Sequence, residues 1–515
     1  MKKTERWMFV KRKTSHTFGK KLFNSFAAFL VLLSVLPFPA LNAAAEELPS
    51  IDLRLMETTD IHAHIMDYDY YSDKETASYG LARTAVLIEE YRKSAKNSIL
   101  VDNGDLIQGN PLGEYVYKNL GADIAAGTKT NPIFDAMNTL QYDAGTLGNH
   151  EFNYGLDYLN GSLKGTNFPV VSANVFDAQT DKPYFKQYAI KEKELIDNTG
   201  NKHTVKIGYT GFVPPQINVW DKKHLEGKVV TKDIVEIAKT VIPEMKAKGA
   251  DLIVVMAHTG IETASQAAGS ENMVFDLAKE VPGIDAIVSG HQHGLFPGDK
   301  KYNGIAEIDN AKGTVNGVPV VMPKNWGSHL GLIDLKLGQK DGKWTVTDSQ
   351  STAAPITSVT TKDEEIVNTI NSTHESTLNY VRKAVGTTEA PINSFFALVQ
   401  DDPSVQIVND AQKWYAKKIA AENPKLQGLP ILSAAAPFKA GGRNGVDYYT
   451  NIAKGDLAIK NIGDLYLYDN TVQIIKLNGS QVKEWLEMSA GQFNQIDPAK
   501  TGEQALLDAN FRSYN

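Results

Sequence analysis

Cysteine is absent from all 515 residues. Without thiols the chain has no disulfide framework and no thiolate metal site, so a transition-metal centre must be built from His, Asp, Glu and Asn. Those ligands suit zinc, manganese and similar divalent ions. Positive charge is also in short supply: 53 Lys and Arg stand against 60 acids, a formal net charge of -7. Such a balance offers no electrostatic footprint for a nucleic-acid duplex. Small anions remain possible partners wherever something local concentrates positive charge, and metal ions are the obvious candidate. Long apolar runs are scarce, and a mean hydropathy of -0.28 excludes a polytopic membrane protein. No internal repeat or low-complexity tract is visible.

The exception to both scarcities is the N-terminus. Residues 1–21 hold eight Lys or Arg against one acid, Glu5, so the remainder is more acidic than the whole. An apolar run over 26–36 follows, then the small-residue stretch Leu41-Asn42-Ala43-Ala44-Ala45. A basic region, an apolar core and an A-x-A-like site read as a secretory signal over residues 1–45. The apolar core is short for a membrane span and is broken by Pro37 and Pro39, so cleavage and no lasting membrane span are expected.

Length favours two or more domains. Between residues 51 and 337, short β-branched or apolar runs end in polar, often Gly-containing residues. The runs cover 53–56, 99–101, 143–147, 170–173, 205–209, 252–256, 286–288 and 320–322. Helical periodicity lies between several of them, over 81–91, 131–139 and 234–248. Strands alternating with helices indicate a layered α/β domain. Residues 349–361, rich in Ser, Thr, Ala and Pro, read as a linker. Residues 363–382 read as an amphipathic helix leading into a second region. The division expected is 46–348 for the first domain, 349–382 for linker and connecting helix, and 383–515 for a second domain that looks cut short.

Five segments place metal-ligand side chains immediately after expected strands. They are Thr59-Asp60-Ile61-His62, Asp102-Asn103-Gly104-Asp105, Gly148-Asn149-His150-Glu151, Ala257-His258-Thr259-Gly260 and Gly290-His291-Gln292-His293. In open α/β sheets, ligand sites form at the carboxyl ends of strands. In extended backbone, residues i and i+2 project the same way, so Asp60 with His62, and His291 with His293, are each expected to aim into one cleft. Two metals held about 3.5–4 Å apart need a bridging carboxylate, and Asp105 is the natural bridge. Taken singly each segment reads as a turn, a cap or a satisfied core histidine. Five in series do not.

The series Asp-x-His, Gly-Asp, Gly-Asn-His-Glu, His and Gly-His-x-His resembles the calcineurin-like metallophosphoesterase superfamily. Gly148-Asn149-His150-Glu151-Phe152-Asn153-Tyr154-Gly155, Ser289-Gly290-His291-Gln292-His293 and Ala436-Pro437-Phe438-Lys439-Ala440-Gly441-Gly442-Arg443 are similar to the bacterial 2′,3′-cyclic-nucleotide 2′-phosphodiesterase/3′-nucleotidase branch of the 5′-nucleotidase family. The resemblance implies a four-layer α/β/β/α sandwich followed by a smaller α+β substrate domain. It implies two divalent ions, one on Asp60, His62, Asp105 and His293, the other on Asp105, Asn149, His258 and His291. His150 would stand over the phosphate and help the leaving oxygen depart. The position three after it, commonly Asp in 5′-nucleotidases, is Asn153 here, which orients the ring without supplying charge.

By the same resemblance the second domain holds the nucleoside. Arg443 is placed for oxyanion or ribose contacts, Tyr468 for stacking on the base and Asn470 near it. Residues 392–400 lack the arginines of the 5′-nucleotidase branch, which favours the cyclic-nucleotide branch. The expected activity is hydrolysis of small nucleotide phosphate esters by a monomer that is secreted or held at the cell surface or wall. A 5′-nucleotidase or nucleotide-sugar hydrolase is the alternative enzyme. A cell-surface nucleotide-binding protein without chemistry is the alternative of another class, and retention of every expected ligand argues against it.

Overall fold

Alternation along individual strands sets the layers of the catalytic half. The computed structural model describes residues 49–340, 342–442, 445–467, 470–508 and 511; the expected signal over 1–45, Arg443 and Tyr468 lie outside them. In strand Ser50–Thr58, Leu53 and Leu55 enter one hydrophobic core while Met56 enters another, because neighbouring strand residues project to opposite faces. Strand Leu252–Ala257 is buried on both faces. Leu252, Val254 and Met256 join the first core, and Ile253, Val255 and Ala257 a third.

Two sheets result, packed face to face over the shared core of Leu53, Leu55 and Val101 with Val205, Ile207 and Val254. The first has the order Lys343–Pro355, His329–Lys340, Ser50–Thr58, Ser98–Asp102, Ala144–Thr146, Val170–Val171. The second is built around the parallel neighbours Lys202–Phe212, Leu252–Ala257, Ala286–Ser289 and Val318–Pro323. Helices Leu81–Ser94, Pro111–Ala126 and Pro132–Thr139 cover the outer face of the first sheet, and Ile234–Ala247 and Val274–Glu280 that of the second. This is the expected four-layer α/β/β/α arrangement. Each of the eight expected runs overlaps a strand, although Ala144–Thr146 and Val170–Val171 are shorter than the expected runs 143–147 and 170–173.

One expectation is corrected. Residues 349–355, read as linker, complete the strand Lys343–Pro355, which pairs with His329–Lys340 along its length. It is an edge strand with much of its surface facing solvent, so Ser and Thr are tolerated while Trp344, Ser351 and Ala354 are buried. Helix Glu364–Val381 begins where expected, with Asp363 accepting from the Ile366 N–H at 2.9 Å. It is more than a connection, however. Ile366, Ile370, Leu378 and Val381 sit in the outer core against helices Pro111–Ala126 and Pro132–Thr139, so it completes that layer.

The second region pairs Ala384–Thr388 with Gly455–Ala458 and Ile392–Asn393 with Asn451–Ile452. Helices Pro403–Glu422, Ile459–Leu465 and Gly479–Ala490 accompany them, giving an α+β region. Among the described residues, no helix is long and apolar enough to cross a membrane.

Asp73 joins the two regions. It accepts from Tyr68 Oη at 2.6 Å, from Arg382 Nη2 at 2.9 Å and from Lys460 Nζ at 2.8 Å. The Arg382 bond foremost, helped by Lys460 and Tyr68, outweighs partial burial and holds this carboxyl well below the usual carboxylate range. A carboxyl depressed in the folded state stabilises fully above its unfolded pKa of about 4, and that contribution is lost as pH falls through the folded value. Asp73→Asn should therefore melt below the parent at pH 7, with the gap closing as pH drops below about 4. Melting curves at both pH values check this, and a pH-independent gap would contradict it.

Candidate metal centre

Three parallel strands of the first sheet and two of the second end at one cleft. Ser50–Thr58, Ser98–Asp102 and Ala144–Thr146 lead into Asp60/His62, Asp105 and Asn149/His150; Leu252–Ala257 and Ala286–Ser289 lead into His258 and His291/His293. The structure thus brings together all seven expected ligands. It does so by a different local geometry from the one anticipated. Asp60, His62, Asp105, His291 and His293 have φ of 51°, 48°, 57°, 68° and 53°, so the donors sit in left-handed turns beyond the strand ends, not on extended backbone. Five non-glycine residues in that region cost strain that only a surrounding framework sustains.

Part of that framework is room. A Cβ at Gly148 would fall 2.2 Å from Asp105 Oδ1, and one at Gly290 2.4 Å from Asp60 Oδ2. Both close approaches require glycine. The other part is Glu151, which the sequence placed in the motif without a role. Its fully buried carboxylate accepts from the N–H groups of Asp105 at 2.8 Å, Leu106 at 2.7 Å, Ile107 at 3.2 Å and Gly148 at 2.6 Å. It therefore ties the Asp105 turn to the Gly148 turn. Glu151→Ala should cost about 3–5 kcal/mol, since four buried N–H groups lose a charged acceptor. Glu151→Gln, which keeps an acceptor oxygen, should cost less. Thermal melting of the metal-free variants measures both, and an unchanged midpoint in Glu151→Ala would refute this role.

The donors form overlapping groups: Asp60, His62 and His293; His62, Asp105 and His150; Asp105, His258 and His291. His293 Nε2 lies 3.2 Å from Asp60 Oδ1. Asp105 faces both histidine sets, with Oδ2 3.7 Å from His62 Nε2 and 3.0 Å from His258 Nε2, while its Oδ1 accepts from the His150 N–H at 2.7 Å.

Tautomers test whether these residues fit a cation. His62 Nδ1 donates to Gln108 O at 2.8 Å, and burial depresses this ring to about 3. The neutral ring then turns a lone pair on Nε2 toward His293 Nε2, 3.0 Å away. His291, also depressed by burial, gives its single proton through Nε2 to Glu271 at 2.6 Å. Its Nδ1 lone pair is left facing Asn149 Oδ1 at 2.8 Å. His258 Nδ1 donates to Asn103 O at 2.7 Å, leaving Nε2 against Asp105. At the His291–Asn149 and His258–Asp105 contacts an acceptor faces an acceptor, which repels unless positive charge lies between them. Burial opposes charging His258, yet Asp105 and Asp60 overcome it and push that ring up to about 10, so a proton stands where a cation would. Burial likewise opposes ionising Asp60, but His258 and His293 hold it down at about 2. Carboxylate, imidazole and amide donors with no thiolate fit a divalent ion of borderline character.

His150 Nδ1 meets Asn153 Oδ1 at 2.6 Å, so the expected pair is formed. Trp220 stacks on His291 with centroids 5.7 Å apart. His64 stacks on Trp326 at 4.7 Å and its ring bonds Ile61 O, so it packs beside the cleft. Asn470 is exposed and donates to Tyr466 Oη at 3.3 Å; among the described residues it has no hydrogen bond to the cleft. Glu271, Trp220 and the carbonyls of Gln108 and Asn103 were invisible to sequence reasoning, because no local pattern links them to the histidines they orient.

Fold and site together are those of a calcineurin-like phosphoesterase, and the family model of that description matches residues 53–295. A second model, the 5′-nucleotidase C-terminal domain, matches residues 384–508. The chain is 50% identical over 495 residues to the 2′,3′-cyclic-nucleotide 2′-phosphodiesterase/3′-nucleotidase of Salmonella typhimurium, covering 94% of this chain and 74% of that protein. It is 62% identical over 487 residues to the trifunctional nucleotide phosphoesterase protein YfkN of Bacillus subtilis, covering 94% of this chain but only 33% of that protein. The crystal structure of calcineurin-like phosphoesterase YfkN superposes with a TM-score of 0.64 at 59% identity, over 65% of this chain and all of that one. The chain belongs to the 2′,3′-cyclic-nucleotide 2′-phosphodiesterase/3′-nucleotidase branch of the 5′-nucleotidase family.

Proposed function

We propose that this chain hydrolyses nucleotide phosphate esters, opening 2′,3′-cyclic nucleotides to 3′-nucleotides and then removing the 3′-phosphate to leave nucleosides. The observation that carries the reading is the convergence of two donor sets on Asp105. Asp60, His62, Asp105 and His293 would hold one divalent ion, and Asp105, Asn149, His258 and His291 a second, with zinc, manganese or a similar ion suited to both. When bound, such ions stabilise charge on the phosphoryl oxygens and supply a nucleophile at neutral pH.

The chain's own part is orientation and proton handling. Gln108, Asn103 and Glu271 hold three histidines with defined ring nitrogens turned to the cleft. Glu151 keeps the Asp105 and Gly148 turns in register. His150, steadied by Asn153, gives or holds a proton at the departing ribose oxygen. Residues 383–515, with Arg443, Tyr468 and Asn470, form the nucleoside-holding part of this proposal, and the N-terminal 45 residues its export signal. The names of the Salmonella typhimurium and Bacillus subtilis relatives support nucleotide esters as the substrate class.

Product analysis with 2′,3′-cyclic AMP, 3′-AMP and 5′-AMP in competition tests the reading. Consumption of the first two, ending in adenosine and stopping on exhaustive chelation, is expected. Preference for 5′-AMP would replace the substrate assignment with the 5′-nucleotidase alternative. Turnover that survives chelation would overturn the metal assignment.

A further inference from the structure

His150 is held by Asn153, and Asn153 is itself held. Its Nδ2 donates to Asp221 Oδ1 at 2.9 Å, across 68 residues of chain. Asp221 is 6% exposed, and its other oxygen, Oδ2, is buried with no hydrogen-bond partner among the described residues. A buried carboxylate oxygen left so is costly and calls for an explanation. Helix capping does not provide one: Asp221 precedes the short helix Lys222–Leu225, but its side chain caps no N–H. The same turn carries Trp220, which stacks on His291. The segment thus reaches the site at two points.

The direction of each hydrogen bond matters. A carboxylate only accepts, so Asp221 requires the NH2 end of the Asn153 amide. The carbonyl end is then turned to His150 Nδ1, which can meet it only as a donor. Reversing the amide would set oxygen against carboxylate at one end and NH2 against the ring nitrogen at the other. One charged group therefore selects the orientation of an otherwise ambiguous amide, and the amide selects a tautomer.

We infer that Asp221 is a positioning residue, which through Asn153 keeps one His150 proton on Nδ1, so that a second proton taken up from solvent sits on Nε2 and passes from there to the departing ester oxygen, leaving the neutral Nδ1–H ring. The inference deepens the phosphoesterase reading and rests on it for its kinetic consequence, though not for the tautomer itself. It also gives Asn153 a purpose. An amide at 153 with a carboxylate behind it reaches His150 as a relay, where a carboxylate at 153 would act directly. With both acidic, the two would face each other across the present 2.9 Å contact.

Two measurements test it. In protein with 15N-labelled histidine, the His150 signal, assigned by its loss in His150→Gln, should report the Nδ1–H tautomer in the parent and a mixture in Asp221→Asn. In kinetics, Asp221→Asn and Asp221→Ala should lower kcat about ten- to hundredfold with KM little changed, the magnitude typical of residues that orient a catalytic group. The loss should be larger for 3′-AMP, whose ribose oxygen needs a proton to depart, than for p-nitrophenyl phosphate, whose leaving group does not. Combining Asn153→Asp with Asp221→Asn moves the carboxylate to position 153 and should recover most of the loss.

An unchanged tautomer in Asp221→Asn would overturn the inference, whatever the activity. So would equal losses for both esters, or a double variant no better than Asp221→Asn alone. If the parent hydrolyses neither ester, the functional reading falls and the tautomer measurement still decides the inference.

Discussion

Asp105→Asn is expected to lower kcat by about a thousandfold or more and to remove most of the thermal stabilisation that divalent ions confer. Asn suits the test because it tolerates the left-handed backbone at this position, where φ is 57°. It is close in shape but lacks the charge. The parent carboxylate is buried, faces His258 Nε2 at 3.0 Å and His62 Nε2 at 3.7 Å, and belongs to two of the three overlapping donor groups. Metal-assisted stabilisation of a phosphoryl transition state is worth several kcal/mol, which is about three powers of ten in rate. His258 should respond as well. With the largest of the charges that raise it removed, burial dominates and the ring moves back below about 10. Melting midpoints with and without added manganese, together with initial rates, check the prediction. Retention of kcat within tenfold alongside an intact metal-induced shift would show that the two donor sets do not depend on Asp105.

His150→Ala should produce a loss of comparable size by a different route. General acid catalysis contributes typically about a hundred- to ten-thousandfold, and kcat should fall within that range. Metal-induced stabilisation should survive, because His150 engages Asp105 through its backbone N–H at 2.7 Å, a contact that alanine keeps. The two variants therefore separate assembly of the centre from proton handling within it. Should His150→Ala instead lose its metal-induced melting shift, the ring belongs among the ligands, as its grouping with His62 and Asp105 would allow. An unchanged kcat would remove it from the mechanism.

Much of this was legible beforehand because the relevant signals are local. A β-branched run followed by Gly, Asp, Asn or His states both the strand and the turn that ends it, and five such junctions gave the centre. Helix starts were legible for the same reason: Asn131 and Asp363 cap helices at the expected positions. The edge strand through residues 349–355 was not. Its pairing comes from a strand neighbour and its polar residues face solvent, so composition pointed to a linker. Strand Tyr188–Ile196, with Lys and Glu along it, was missed for a similar reason: it pairs only with Lys202–Phe212 and exposes part of its surface.

From its sequence alone, then, the candidate donors, their order and the strands that carry them could be read, because the absence of cysteine left His, Asp and Asn as the available ligands and the donor segments each follow a strand signal. Tertiary structure decided how those donors are aimed. Left-handed turns replace the expected extended alternation, and Glu151 stitches two loops through four backbone N–H groups. Gln108 and Asn103 act through carbonyls that every residue possesses, and Asp221 reaches His150 through an amide 68 residues away. Hydrogen-bond direction is a property of atoms brought together by folding, and the two sheets must close before any of these groups can meet.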